Sequence, residues 1–177
     1  SNTFQNINQL ILNNNNIGDD GIFALSESEM FCNLESLFLA NNDLTTDSAI
    51  SISKSNTITQ LKNIDFNNND IRSEGTKALS HSTNLQSIEY LDLGANGLGA
   101  EGAEAIANSP YIKKLKSLRL NNNNIKDVGV AAIANSKNFN SLENLYLENE
   151  NWIHSEGAKA LATSEGFPRL RQLVLTL

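Results

Sequence analysis

One pattern of apolar residues and asparagine recurs every 27 residues along this chain of 177 residues. The unit reads L-x-x-L-x-L-x-x-N-x-[IL], and Ile or Phe takes some of its first three apolar positions. Its copies begin at Ile7, Leu34, Leu61, Ile88, Leu115, Leu142 and Leu170. The sixth copy contains a one-residue insertion, and the seventh stops at Leu177. A fixed period of this length predicts a stack of similar units, each of which packs only against its neighbours.

Each unit is expected to form a short strand, a turn, a helix and a return segment. Alternation along a strand places Leu37 and Leu39 inside and Phe38 outside. Small and apolar residues then follow at helical spacing, as at Ala105 and Ile106. Because helices are wider than strands, a stack of such units curves, with parallel strands on its concave face and helices on its convex face.

Polar residues recur at fixed positions in the unit. An asparagine ends each strand, and these side chains are expected to form a buried ladder of hydrogen bonds to the turn backbone. The ladder consists of Asn15, Asn42, Asn69, Asn96, Asn123 and Asn151. Residues suited to helix N-caps are Asp19, Thr46, Ser73, Asp127 and Ser155. A serine ends every complete helix, where it is expected to cap carbonyl groups or bond to the next unit.

The repeated motif resembles that of the leucine-rich repeat family, whose units are 20–29 residues long. Its length is similar to the helix-containing subtype of ribonuclease inhibitor, NOD-like receptors and the Ran GTPase-activating proteins. The resemblance implies an α/β solenoid that forms a right-handed arc, with one domain over residues 1–177 made of six full repeats and a truncated seventh. Solenoids need polar caps, so we expect a fragment of a longer protein, or end-to-end self-association if the chain is complete.

Composition argues against several classes of function. The formal charge is −7 and the isoelectric point about 4.8, which disfavours nonspecific binding to nucleic acid or anionic membranes. Cys32 is the only cysteine, so no internal disulfide can form, and a cytoplasmic location is expected. If the chain belongs to a secreted bacterial effector, the expected location is the cytosol of the host cell. The two histidines, His81 and His154, lie in different units. We therefore predict no catalytic residues, no metal site and no cofactor.

The outward side chains of the strands do not pack in the core, so their residue types can indicate a binding surface. Tyr, Trp and Arg are enriched at interface hot spots, and an acidic centre at Asp65 and Asp92 suits a basic partner. The predicted protein-binding residues are Phe38, Asp65, Tyr90, Asp92, Arg119, Tyr146 and Trp152. Two alternatives stay open: the face is simply solvated, or binding uses repeats outside this chain. Trp152 follows the insertion, in a position that is Asn, Asp or Gly elsewhere, and could instead pack over the unit below.

The predicted function is a non-enzymatic protein-interaction module that binds a partner protein through its concave face. Such a module could belong to a bacterial effector or an intracellular sensor. The alternative, from the resemblance to Ran GTPase-activating proteins, is a regulator of a small GTPase. A ligase effector with its catalytic domain elsewhere is a weaker third option, since such effectors usually carry shorter repeats.

Overall fold

The computed structural model describes residues 6–176, so residues 1–5 and Leu177 lie outside the described part. Within it, seven short strands form one parallel sheet in chain order. The strands are β1 (Gln9–Ile11), β2 (Ser36–Phe38), β3 (Asn63–Asp65), β4 (Tyr90–Asp92), β5 (Ser117–Arg119), β6 (Asn144–Tyr146) and β7 (Gln172–Val174). The helices that alternate with them are α1 (Gly18–Ser26), α2 (Thr46–Lys54), α3 (Arg72–Ser80), α4 (Gly99–Ala107), α5 (Lys126–Ala134) and α6 (Ser155–Ala162). Single 3₁₀ turns cover Glu29–Phe31 and Thr83–Leu85.

The strands pair in the register that the repeat predicts. Leu10 lies opposite Leu37, and Leu37 lies opposite Ile64, so equivalent positions of successive units are neighbours. The consensus apolar residues form one continuous core between the sheet and the helices, in which Phe66 and Phe139 are fully buried. The predicted α/β solenoid with parallel strands is confirmed, and the physical reason is that each unit can bury its apolar side only against another unit.

The asparagine at the end of each strand bridges two units. The side-chain Nδ2 of Asn123 donates to the carbonyl of Leu93 at 2.8 Å and to that of Leu120 at 3.1 Å, while its Oδ1 accepts from the backbone N–H of Asn96 at 3.0 Å. Asn42, Asn96 and Asn151 are buried in the same way. The prediction that every asparagine of the ladder is buried is wrong for Asn15, which is exposed and bonds only within its own turn. Asn69 is half-buried.

The predicted helix N-caps are wrong, because the residues concerned lie inside the first turn of their helices. The side chains of Asp19, Thr46 and Asp127 reach the next unit instead. Asp19 Oδ1 accepts from the backbone N–H of Thr45 at 2.9 Å and of Ser48 at 3.2 Å, at the start of α2. Asp127 Oδ1 likewise accepts from the His154 N–H at 2.7 Å, just before α6. Because the helices stack side by side, the first turn of one helix lies against the unpaired N–H groups at the start of the next helix.

Five serines after the helices cap carbonyl groups as expected, and these carbonyls belong to the preceding unit and not to the next one. The five are Ser55, Ser82, Ser109, Ser136 and Ser164, whereas Ser28 accepts from the Met30 N–H. Ser109 donates to the carbonyl of Ser80, in the helix of the preceding unit, and accepts from the Ile112 N–H at 3.0 Å. Ser136 repeats this arrangement on the carbonyl of Ala107. The helical side of the stack is therefore held by a second set of side-chain bridges, parallel to that of the asparagines.

Candidate functional site

The outward side chains of the strands form one continuous surface, here called the strand face. Because the strands are parallel and in register, outward residues at equivalent positions lie side by side, about 4.8 Å apart. One such row contains Asp65, Asp92, Arg119 and Tyr146, and the adjacent row contains Tyr90. Five of the seven predicted binding residues therefore lie together on β3–β6.

Four of these residues are joined by direct contacts and are called the strand-face network: Tyr90, Asp92, Arg119 and Tyr146. Arg119 Nε lies 3.1 Å from Asp92 Oδ2, and the guanidinium carbon lies 4.1 Å from the centroid of the Tyr146 ring. The Tyr90 hydroxyl donates to Asp92 Oδ2 at 3.2 Å. The Tyr146 hydroxyl extends the chain of contacts to β7 by donating to Gln172 Oε1 at 3.0 Å.

Asp92 is the centre of the network and is nearly buried, with 5% of its surface exposed. Burial raises the pKa of its carboxyl group, although hydrogen bonds from the Gly94 N–H and nearby groups and the charge of Arg119 oppose this. Burial also raises the pKa of the Tyr90 hydroxyl, with the charges of Asp92 and Asp65 adding to the effect. Tyr90 thus stays a hydrogen-bond donor at neutral pH.

Asp65 lies beside Asp92 on the neighbouring strand. Burial raises the pKa of its carboxyl group, and the negative charge of Asp92 raises it further. Its Oδ1 accepts from the Asn67 N–H at 2.8 Å, and it forms no ion pair within residues 6–176. Two adjacent carboxylates with a single nearby arginine leave this part of the strand face electronegative.

Gly94 leaves space on the strand face for two neighbouring amide side chains. A Cβ atom on Gly94 would lie 2.5 Å from Asn67 Nδ2 and 2.8 Å from Asn121 Oδ1, so the two amides occupy the volume that a side chain would take. From this position the Asn67 side chain helps to lower the pKa of Asp92, whereas Asn121 Oδ1 is buried without a hydrogen-bond partner. The one signal in the sequence is that Gly94 stands between these asparagines at the same repeat position.

The other two predicted binding residues lie away from the network. Phe38 is half-buried on β2, next to Ile11 of β1, which is 62% exposed. Trp152 lies in the turn between β6 and α6 and lines two surface cavities. Neither cavity contains a residue of the strand-face network, so the structure separates Trp152 from Tyr90 and Tyr146.

Residues 6–176 contain neither a cluster of metal-binding side chains nor a membrane-spanning helix. No group of three or more His, Cys, Asp or Glu side chains in this part is placed to hold a metal ion. Likewise, none of the helices described is both long enough and apolar enough to cross a membrane.

Comparison with known families gives one match. A family model described as Leucine Rich repeat matches residues 5–26, 84–107 and 111–134. Each matched segment contains one strand and the helix that follows it, and ends where that helix ends. The match does not distinguish subtypes of the repeat, so the helix-containing subtype stays a prediction. No curated protein matches the chain.

Proposed function

We propose that this chain, which belongs to the leucine-rich repeat proteins, binds a partner protein through its strand face and performs no chemistry itself. Repeats of this kind are generally protein-interaction modules. The observation that supports the strand face as the binding surface is the strand-face network, which joins two tyrosines and an arginine through one nearly buried carboxylate.

The network favours binding because its side chains are already ordered. Arg119 is held by Asp92 on one side and by the ring of Tyr146 on the other. Immobilising a flexible side chain at an interface costs about 0.5–1.5 kcal/mol, and a side chain that is fixed beforehand avoids much of this cost. Tyrosine and arginine are also the residue types that most often dominate binding energy.

The charge of the site favours a basic surface on the partner. The pKa values of Asp65 and Asp92 are both raised, so their ionised forms are destabilised in the free protein. A lysine or arginine of the partner placed near Asp65 would stabilise the ionised form. The formal charge of −7 would also accelerate the approach of a basic partner at low salt.

The proposal is tested by affinity capture from a eukaryotic cytosolic lysate. Wild type is compared with a variant in which Tyr90, Arg119 and Tyr146 are all replaced by alanine. The control replaces Lys77 and Glu101, an exposed ion pair on the helix side, by alanine. We expect a partner that wild type and the control retain and the triple variant loses. Equal retention by all three proteins would exclude the strand-face network as the binding site.

Three finer assignments stay predictions: the effector or sensor role, the cytoplasmic location and the regulation of a small GTPase. The last of these is separated from simple binding by an assay of GTP hydrolysis on purified small GTPases. A regulator would increase the hydrolysis rate, whereas a binding module would leave it unchanged.

A further inference from the structure

Two apolar side chains are exposed at positions that carry polar residues or glycine in every other complete unit. Trp152 is 59% exposed and Val128 is 69% exposed. The residues equivalent to Trp152 are Asn16, Asp43, Asp70, Gly97 and Asn124. The residues equivalent to Val128 are Asp20, Asp47, Glu74, Glu101 and Glu156. Because the other complete units carry polar residues or glycine at these two positions, the repeat itself does not require Trp152 or Val128.

Val128 and Trp152 lie close together on the surface. Val128 is exposed in the first turn of α5, and Trp152 lies in the turn of the next unit. Together they line one cavity of about 530 Å³, here called the edge groove. Its remaining lining residues are Asn124, Lys126, Asp127 and His154. No residue of the strand-face network is among them, so the edge groove is a separate surface.

The backbone at Trp152 is also in an unfavourable conformation for its residue type. Its φ angle is 51°, in the left-handed region, where Asn124 and Gly97 stand in equivalent positions with φ angles of 54° and 65°. Asparagine and glycine tolerate this region, whereas a bulky side chain does so at a cost. Trp152 remains mostly exposed, so filling the core does not account for its presence in this conformation. Conformational cost at an exposed aromatic residue points to a role in binding.

The charges around the edge groove differ from those of the strand face. Val128 interrupts a row of acidic residues along the helices, and Lys126 is exposed with no ion pair in the part of the chain that the structure describes. Asp127 also lines the groove, where its Oδ1 accepts from the His154 N–H and its Oδ2 lies 4.0 Å from His154 Nδ1, so this carboxylate faces His154. The groove therefore offers one unpaired cation beside two apolar walls.

We propose that the edge groove binds a short peptide segment of a partner protein, in which a bulky apolar side chain is flanked by acidic residues. The apolar side chain inserts between Val128 and Trp152, and a carboxylate of the segment pairs with Lys126. This preference for acidic residues is opposite to that of the strand face, so the two surfaces bind different segments.

Trp152 provides the test, because it is the only tryptophan of the chain and its fluorescence reports on the groove. The probe is the peptide acetyl-Asp-Phe-Asp-amide at millimolar concentrations. Its controls are acetyl-Asp-Ala-Asp-amide and acetyl-Lys-Phe-Lys-amide. We expect a saturable change in Trp152 emission with the first peptide, and at least tenfold weaker binding of the other two. Absence of a saturable change, or equal binding of the lysine peptide, would overturn the proposal.

Two variants localise the effect. V128E restores the acidic residue of the row and K126E reverses the groove cation; each should weaken binding of acetyl-Asp-Phe-Asp-amide at least tenfold. Both positions are exposed, and glutamate occurs at the equivalent of Val128 in other units, so V128E is expected to fold. K113E, an exposed lysine outside the groove, controls for net charge and should bind as wild type does. Unchanged binding by V128E and K126E, or an equal saturable change with adenosine monophosphate, would contradict a peptide site here.

Discussion

At the scale of single residues, Trp152 combines an exposed side chain with a left-handed backbone. For a residue other than glycine or asparagine, this conformation costs roughly 1–2 kcal/mol. W152N introduces the residue that stands at the equivalent Asn124 and should increase the free energy of unfolding by up to about 1 kcal/mol, because asparagine adopts this conformation at a lower cost than tryptophan. Urea denaturation measures the change. N124W makes the reverse exchange and should destabilise the protein; a clear loss of stability in W152N would contradict this account.

Asp65 provides a second prediction at this scale, because its pKa is raised in the folded protein. A raised carboxyl pKa means that folding is more favourable below the unfolded-state pKa and that stability falls as the pH rises through the folded-state pKa. D65N removes this loss and keeps an oxygen to accept from the Asn67 N–H. It should therefore be more stable than wild type at pH 7, with the difference vanishing near pH 3. A difference that persists in acid would show that the charge is not its cause.

At the scale of elements, the asparagine bridges hold neighbouring strand ends together. N123A would leave the carbonyl groups and N–H groups that Asn123 now satisfies without partners in the core. Each buried unpaired group costs about 1–3 kcal/mol, so N123A should lower the free energy of unfolding by at least about 2 kcal/mol. N15A is the matched control and should cost less than about 1 kcal/mol, because Asn15 is exposed. Equal losses in the two variants would contradict the bridging role.

The strands and the core could be predicted from the sequence because both depend on the spacing of apolar residues, which the repeat fixes seven times. The first turns of the helices could not, because Asp19 and Asp127 cap a neighbouring unit that lies 26–29 residues away along the chain. The members of the strand-face network were predicted, but their contacts were not. The contact of Arg119 with both Asp92 and Tyr146 depends on side-chain torsions that no spacing encodes. The separation of Trp152 from the network follows from its place after the strand, in the turn.

At the scale of the whole molecule, the sheet of the described residues has open edges at β1 and β7. Ile11 on β1 is 62% exposed, and Leu173 and Leu175 at the other end are 40% and 41% exposed. Pairing of β7 with β1 of another copy is a head-to-tail contact that does not close. The 177-residue chain should therefore associate further as its concentration rises, as measured by sedimentation velocity, and L175D should reduce the association. Sedimentation as a monomer at all concentrations would contradict this prediction.

Binding through the strand face is most directly tested by site-specific photo-crosslinking to the captured partner. One protein carries a photoreactive phenylalanine at Ser117, which lies beside Tyr90 on the strand face. A second carries it at Glu104, which is exposed on α4. The proposed function predicts a crosslink to the partner from position 117 and none from position 104. A crosslink from position 104 alone would place the partner on the helices and contradict it.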